Sequence, residues 1–244
     1  MKTAIIIQTR MTSTRLPGKV LMELAGRPML AQQLRRLKAC RSADEIVVAT
    51  TTNKTDDPVV ALAEKEGVRW FRGSEDDVLS RYAGAAREAE ADIVVRITSD
   101  CPLIDAEVTD RVIAELKTHA GECDYAHNII PRTYPRGLDT EAMFRDTLER
   151  MQRMAVSAAA REHVTHFLLE ERPKLFVTRG VTDTEDNSDL RWTVDTADDL
   201  AMVRRIYEGL GLGERLAPYR EILRYVRAHP EIAAMNAHVQ QKLV

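Results

Sequence analysis

Three cations, Arg10, Arg15 and Lys19, fall within one short stretch that also carries Ser13, Thr14, Pro17 and Gly18. That combination suits a polyphosphate. Arginine forks grip phosphate oxygens in pairs, lysine supplies a compact point charge, and loop amides meet the remaining oxygens. The stretch is neither G-x-x-x-x-G-K-[ST] nor G-x-G-x-x-G, so the two common nucleotide fingerprints are absent. A solvated basic loop has the same composition.

Two carboxylates further along complement it. Asp100, stiffened by Pro102, suits a hard divalent cation, or merely opens a turn. Asp195, in Asp195-Thr196-Ala197-Asp198-Asp199, would join Asp100 in holding Mg²⁺ against a phosphate, unless Asp195 or Thr196 simply caps the next helix. Other positions are less specific. Thr50, Thr51, Thr52 and Asn53 suit either a base edge or a turn. Asp77 and Arg81 are spaced as a site pair or as an ordinary helix-surface pair. Arg136, Asp139 and Glu141 gather charge around Gly137. His163 and His166 share a spacing but lack the further ligands that zinc requires.

The elements that must position these residues alternate in type. A strand is predicted over 4–8, then a loop to residue 27, and Pro28 opens a helix in which Leu30, Leu34 and Leu37 recur at helical spacing. A strand at 45–50 precedes a helix from Asp57-Pro58 to Gly67. A third strand covers 68–71. A capping box at Ser74-Glu75-Asp76-Asp77 opens a helix to about residue 90. A fourth strand at 92–98 precedes a helix at 105–119. Repeated strand–helix units predict a doubly wound, mostly parallel α/β sheet. In such sheets ligands bind at the carboxyl ends of the strands, where Arg10–Lys19 and Asp100 both fall.

The regular alternation fades after Gly121. Residues 123–190 read as an inserted subdomain within a single domain spanning 1–244, with a helix near 158–171 and a polar loop at 182–189. A strand at 190–194, a helix at 197–210 and a final helix at 214–229 follow.

Composition narrows the function. The 244 residues carry 35 Lys and Arg against 38 Asp and Glu, a net charge of −3, without the basic excess of a nucleic-acid binder. Phe, Trp and Tyr make up 5%, too few for a base-stacking platform. Cys40, Cys101 and Cys123 are far apart, which speaks against a zinc ribbon and a disulfide framework. No apolar stretch approaches the length of a signal peptide or membrane span. A cytoplasmic protein with neither membrane nor nucleic-acid partner is expected.

The motifs as a set resemble the sugar cytidylyltransferases, which include the CMP–ketodeoxyoctulosonate and CMP–sialic acid synthetases. The resemblance begins at Arg10, runs through Ser13-Thr14-Arg15-Leu16-Pro17-Gly18-Lys19 and continues at Gly26-Arg27-Pro28-Met29. It is stronger to the spore coat polysaccharide biosynthesis branch. That likeness rests on Phe71-Arg72-Gly73-Ser74-Glu75-Asp76-Asp77-Val78-Leu79, Asp100-Cys101-Pro102-Leu103-Ile104 and Tyr134-Pro135-Arg136-Gly137-Leu138-Asp139. Arg161-Glu162-His163-Val164-Thr165 and Leu190-Arg191-Trp192-Thr193-Val194-Asp195-Thr196 complete it. Thr12 and Ser99 depart from the pattern, standing where relatives often carry Gly.

The resemblance implies a nucleotide-diphosphosugar-transferase-like fold, CTP as donor, Mg²⁺ as cofactor and a homodimer formed through the later subdomain. Carried over, Arg10, Ser13, Arg15 and Lys19 bind the triphosphate. Thr50, Thr51, Thr52, Asn53, Gly73, Ser74, Asp77 and Arg81 frame the cytidine. Asp100 touches the nucleotide, and Asp100 and Asp195 hold the metal. Arg15, Lys19 and Asp100 form the catalytic set, while Arg136, Asp139, Glu141 and His163 face the acceptor. The implied reaction moves CMP from CTP to a sugar or sugar acid with release of pyrophosphate, in surface polysaccharide or glycan biosynthesis. A glycosyltransferase using a nucleotide sugar and a non-catalytic nucleotide-binding subunit are the alternatives.

Overall fold

Ala4, Ile5, Ile6 and Ile7 are all fully buried. A strand apolar on both faces has to lie inside a sheet that is covered on both sides. In the computed structural model, which describes residues 1–241, it does. The strands are β1 (Thr3–Gln8), β2 (Glu23–Leu24), β3 (Arg27–Pro28), β4 (Glu45–Thr51) and β5 (Arg69–Gly73). Then come β6 (Ile93–Thr98), β7 (Tyr125–His127), β8 (Glu141–Phe144) and β9 (Thr178–Gly180). Seven of them form one sheet in the order β5-β4-β1-β6-β8-β7-β9. The first four are parallel; β8 alone runs against β6 and β7, and β9 is parallel to β7. β2 and β3 make a separate small hairpin. The mostly parallel α/β sheet expected from the strand–helix alternation is therefore the fold observed. Residues 123–190 supply β7, β8 and β9 to that same sheet.

The helices are α1 (Met29–Leu37), α2 (Asp57–Lys65), α3 (Val78–Glu88), α4 (Ala106–Thr118) and α5 (Arg145–Met154). α6 (Ala158–His163), α7 (Ala197–Leu210), α8 (Tyr219–Ala228) and α9 (Pro230–Ala234) follow. Alternate residues of β1 feed two cores. Ala4 and Ile6 pack with Tyr82, Ala86 and Leu148 on one face, Ile5 and Ile7 with Leu30, Leu34 and Val112 on the other. A third core joins Trp192, Val203, Tyr207, Tyr219 and Ile222, which ties the C-terminal helices to the segment carrying Asp195.

Several predicted boundaries shift, each for a local reason. α3 opens at Val78 rather than at residue 74, because the Asp77 side chain, not Ser74, accepts the Ser80 amide at 2.9 Å. The expected helix at 158–171 breaks where Val164 takes φ 51°, and a π turn over Phe167–Glu171 follows. The expected strand at 190–194 is an extended segment with a single bridge to Arg136. Its Val194 amide donates to Asp100 O at 2.8 Å, so it is pinned to a loop instead of a neighbouring strand. The last predicted helix starts at Tyr219, after Pro218, rather than at 214.

Candidate active site

Strand order reverses at β1. The chain steps outward through β4 and β5, then returns to place β6 on the other side of β1. The loops leaving β1 and β6 diverge there and leave a crevice, the usual binding place in a sheet of this kind. A cavity of about 490 Å³ occupies it. It gathers Arg10, Ser13, Arg15, Lys19, Arg81, Asp100, Arg136, Asp139, His163 and Asp195 from six parts of the chain.

The loop after β1 is shaped by its own hydrogen bonds. Met11 N donates to Asp56 Oδ1 at 2.8 Å and Gly18 N to Met11 O at 2.9 Å. Gly18 sits at φ 70°, a left-handed conformation that glycine adopts without a steric penalty. The turn drives Lys19 inward. Its Nζ donates to Val194 O at 2.7 Å and to Asp195 Oδ1 at 2.9 Å, and lies 3.6 Å from Asp100 Oδ2. The two carboxylates thus share one ammonium group. The exposed Arg15 reaches the same Asp195 Oδ1 at 2.9 Å, and Arg191 holds Oδ2 at 2.7 Å.

Burial raises the pKa of the Asp195 carboxyl, but Lys19, Arg191 and Arg15 outweigh burial and hold it below the ordinary aspartate range. Helix capping falls to Thr196, whose side chain accepts from Asp199 N while Asp199 accepts from Thr196 N. Asp195 is therefore not the cap. Asp100 accepts from Thr98 Oγ1 at 2.5 Å through one oxygen and turns the other toward Lys19. Beside it, burial and the Asp100 charge push the Cys101 thiol well up, so it stays protonated.

Seven residues expected around the cytidine lie outside this cavity. Thr50 and Thr51 are buried, and their hydroxyls donate to Asp56 Oδ2 at 3.0 and 2.5 Å. Thr52 is bound through its amide to Gly73 O at 3.1 Å. Asn53 Nδ2 donates to Glu75 Oε2 at 2.5 Å. Ser74 Oγ accepts the Asp77 amide, its carbonyl accepts from Arg81, and Asp77 pairs with Arg161. These groups are spent on the walls of the loop.

Among the four acceptor positions, Glu141 is the one set back from the central cavity. It is buried, and accepts from Tyr125 OH at 2.6 Å, from Thr165 Oγ1 at 2.8 Å and from Arg96. It borders a smaller cavity of about 270 Å³ instead of the central one. Asp139 receives a two-point fork from Arg132 at 2.5 and 3.0 Å. Arg136 lines the central cavity and makes no ion pair among the described residues. His163 borders both cavities.

Three contributors escaped the sequence reading. Arg191 anchors Asp195, Thr98 orients Asp100, and Glu75 ties Thr12, Asn53 and Arg10 together at 2.5, 2.5 and 3.5 Å. Only Arg191 left a usable trace, an arginine four residues before an aspartate.

The carboxylate pair can be tested as a metal site by its donors. Among the described residues, no group of three His, Cys, Asp or Glu side chains is arranged to hold an ion. Magnesium does not require one, since it is commonly bound through one or two carboxylates plus phosphate oxygens and water. Asp100 and Asp195, linked by a shared lysine beside an arginine-lined crevice, fit that pattern.

A parallel sheet reversing at β1, with a cationic loop and two aspartates at the reversal, defines a nucleotidyltransferase-type α/β enzyme. The cytidylyltransferase family model matches residues 4–209. The chain belongs to the cytidylyltransferase family, and it is a nucleotidyltransferase. It is 31% identical to the spore coat polysaccharide biosynthesis protein SpsF of Bacillus subtilis over 84% of this chain and 86% of that one. A cytidylyltransferase structure from Leptospira borgpetersenii superposes with a TM-score of 0.90 at 32% identity, covering 100% of both chains. The fold is also that of CMP:2-keto-3-deoxy-manno-octonic acid synthetase complexed with CTP, at TM-score 0.67 and 20% identity, over 86% of this chain and 100% of that one. No helix among the described residues is long and apolar enough to cross a membrane.

Proposed function

We propose that the protein transfers CMP from CTP to a sugar or sugar-acid acceptor and releases pyrophosphate, in surface polysaccharide or glycan biosynthesis. The observation that carries this reading is Lys19 Nζ shared between Asp195 at 2.9 Å and Asp100 at 3.6 Å at the sheet's reversal point. Lys19 and Arg15 of the loop are paired with these carboxylates. An incoming triphosphate competes for them. Arg15, being exposed, turns from Asp195 to the phosphates, with Arg10 and Lys19 beside it.

Asp100 and Asp195 would hold Mg²⁺, which when bound supplies Lewis-acid neutralisation of phosphate charge. The protein's own part is positioning. Lys19 and Arg15 neutralise the departing pyrophosphate, where preorganised charge acts most strongly. Thr98 fixes the direction of the Asp100 carboxylate. Arg136, with no competing ion pair among the described residues, meets the acceptor, with Asp139 and His163 on the same wall. An acceptor hydroxyl oxygen attacks the α-phosphorus, the bond from that phosphorus to the bridging oxygen breaks and that oxygen leaves with pyrophosphate. The hydroxyl proton passes to solvent, and holding the reactants in line removes much of the entropic barrier.

A second copy of the chain is proposed to pair at the β9 edge. That strand is exposed throughout, and Val177 immediately before it is 55% exposed. Light scattering at the mass of two chains supports pairing, and a single-chain mass rejects it.

The functional reading is tested by thermal shift with CTP, UTP, ATP and GTP in the presence of Mg²⁺, followed by pyrophosphate release with pooled sugars. A ligand bound only by the folded state raises the melting temperature by mass action. Stabilisation by CTP and CTP-dependent pyrophosphate release are expected. Stabilisation by UTP or GTP without CTP would sink the cytidylyl assignment.

A further inference from the structure

Behind Asp195 lies a second layer whose members come from the far end of the chain. Arg191 Nε donates to Asp199 Oδ1 at 3.0 Å, and one terminal nitrogen spans Asp195 Oδ2 at 2.7 Å and Asp199 Oδ2 at 3.3 Å. The other terminal nitrogen donates to Gln241 Oε1 at 2.5 Å. Asp199 has no exposed surface. It also accepts from the Asp195 and Thr196 amides at 2.9 and 3.0 Å and from Asn236 Nδ2 at 2.8 Å. Asn236, 2% exposed, donates as well to Arg191 O at 3.0 Å. One guanidinium and two carboxylates are thus locked by two amide side chains that lie 45 and 50 residues after Arg191. Gln241 itself reaches the wall of the central cavity.

We infer that residues 236–241 form a strap that belongs to the active site, with Arg191, Asn236 and Gln241 as positioning residues for Asp195. This rests on the cytidylyltransfer reading only for its consequence for Mg²⁺ and CTP binding. The physical case is independent of it. Asp195 is pulled from its cavity side by Lys19 and Arg15, and these are the cations a triphosphate would take. When they leave, Arg191 is the remaining side-chain partner that fixes the carboxylate's direction, at 2.7 Å from Oδ2. Arg191 can do this only while Asp199 and Gln241 saturate its other donors. Without the strap, Arg191 gains freedom to swing into the cavity toward phosphate, and the two layers lose their separation. Partners of this outer kind are worth about 10–100-fold in metal affinity or activity when removed.

The experiment compares Gln241→Ala, whose side chain is at the surface, Asn236→Ala and the conservative Gln241→Glu. Hydrogen exchange of the Asp195 and Thr196 amides is read without nucleotide. Faster exchange at these two amides in Asn236→Ala, with the β1 and β6 amides unchanged, is expected. The Mg²⁺ concentration giving half of CTP's thermal stabilisation is then measured. It should rise about tenfold or more in both alanine variants and recover in Gln241→Glu, while the melting temperature of ligand-free Gln241→Ala stays at the wild-type value. If exchange is unchanged, or accelerates equally across the protein, the strap has no specific hold on Asp195 and the inference falls. A wild-type protein indifferent to CTP would defeat the functional reading instead, and exchange alone would then decide the strap. A wild-type response to CTP and Mg²⁺ matched by both alanine variants overturns the inference while leaving the function intact.

Discussion

Lys19 and Asp195, 176 residues apart in the chain, meet as a buried ion pair at 2.9 Å with side chains 9% and 8% exposed. The pair joins the loop after β1 to the segment before α7, two regions that share no β-ladder. Its cohesion is local because Asp195 has two further cations, Arg15 and Arg191. Removing one partner of an isolated buried pair costs about 3–5 kcal/mol. Here the carboxylate stays compensated when Lys19 is lost.

Lys19→Met is therefore expected to remain folded and lose function. The stability cost in urea unfolding should lie below the ~3–5 kcal/mol of an orphaned charge. CTP-dependent pyrophosphate release should drop about 10²–10³-fold, the usual consequence of removing one preorganised group that meets developing charge. A loss of stability with turnover intact would mean that the lysine is structural glue.

Asp100→Asn separates charge from shape. Asparagine keeps an oxygen for the Thr98 hydroxyl, which now lies 2.5 Å from Asp100 Oδ1, so stability should change by about 1 kcal/mol or less. Turnover should fall about 10²-fold or more. The check is pyrophosphate release over a Mg²⁺ titration beside a melting curve. Near wild-type turnover would remove Asp100 from the site.

The parts of the candidate site whose gathering at one cavity was legible in the sequence were those whose position alone is informative. Arg15 and Lys19 lie in the loop after the first predicted strand and Asp100 just after the fourth, and a doubly wound sheet brings such residues to one edge. Thr50 and Thr51 close β4 at the same carboxyl edge, yet their hydroxyls turn to Asp56. A hydroxyl at the end of a strand reads the same whether it meets a ligand or a neighbouring carboxylate. The fold was legible for similar reasons: Ile-rich runs and helical leucine spacing specify strands and helices locally. The 190–194 segment failed because its apolar pattern is that of a strand while its hydrogen bonds go to Asp100 and Arg136. The Arg191 layer was invisible, since Gln241 and Asn236 are brought to it only by the packing of α7, α8 and α9 around Trp192 and Ile222.

Glu141 offers a test between an acceptor role and a framework role. Arg96 and Glu141 pair with side chains 16% and 4% exposed, and Arg96 holds the carboxyl below its ordinary range although burial alone would raise it. Glu141→Gln leaves the buried guanidinium without its counter-charge. A destabilisation of about 3–5 kcal/mol in urea unfolding is expected, with the KM for acceptor unchanged in the protein that remains folded. A raised acceptor KM at wild-type stability would return Glu141 to the binding site.

Acid sensitivity follows from Asp195 and Asp199 together. Both carboxyls are pushed up by burial and pulled down further by their partners. For Asp195 these are Lys19, Arg191 and Arg15; for Asp199 they are Arg191, Asn236 and the Asp195 amide. Each folded-state pKa therefore lies below the ordinary 3.8. A depressed carboxyl pKa means that the unfolded chain takes up protons first as pH falls. The stability these groups contribute is complete above the unfolded value and is lost as pH drops below 3.8 and through the folded values. Urea midpoints measured with EDTA and without nucleotide should stay level from about pH 7 to about pH 5 and then decline steeply below about pH 4. In Asp195→Asn the acid limb should be shallower, because one of the depressed carboxyls that drive it is gone. An acid limb as steep as the wild type's would show that the Lys19–Asp195–Arg191 chain does not bias the carboxyl in solution.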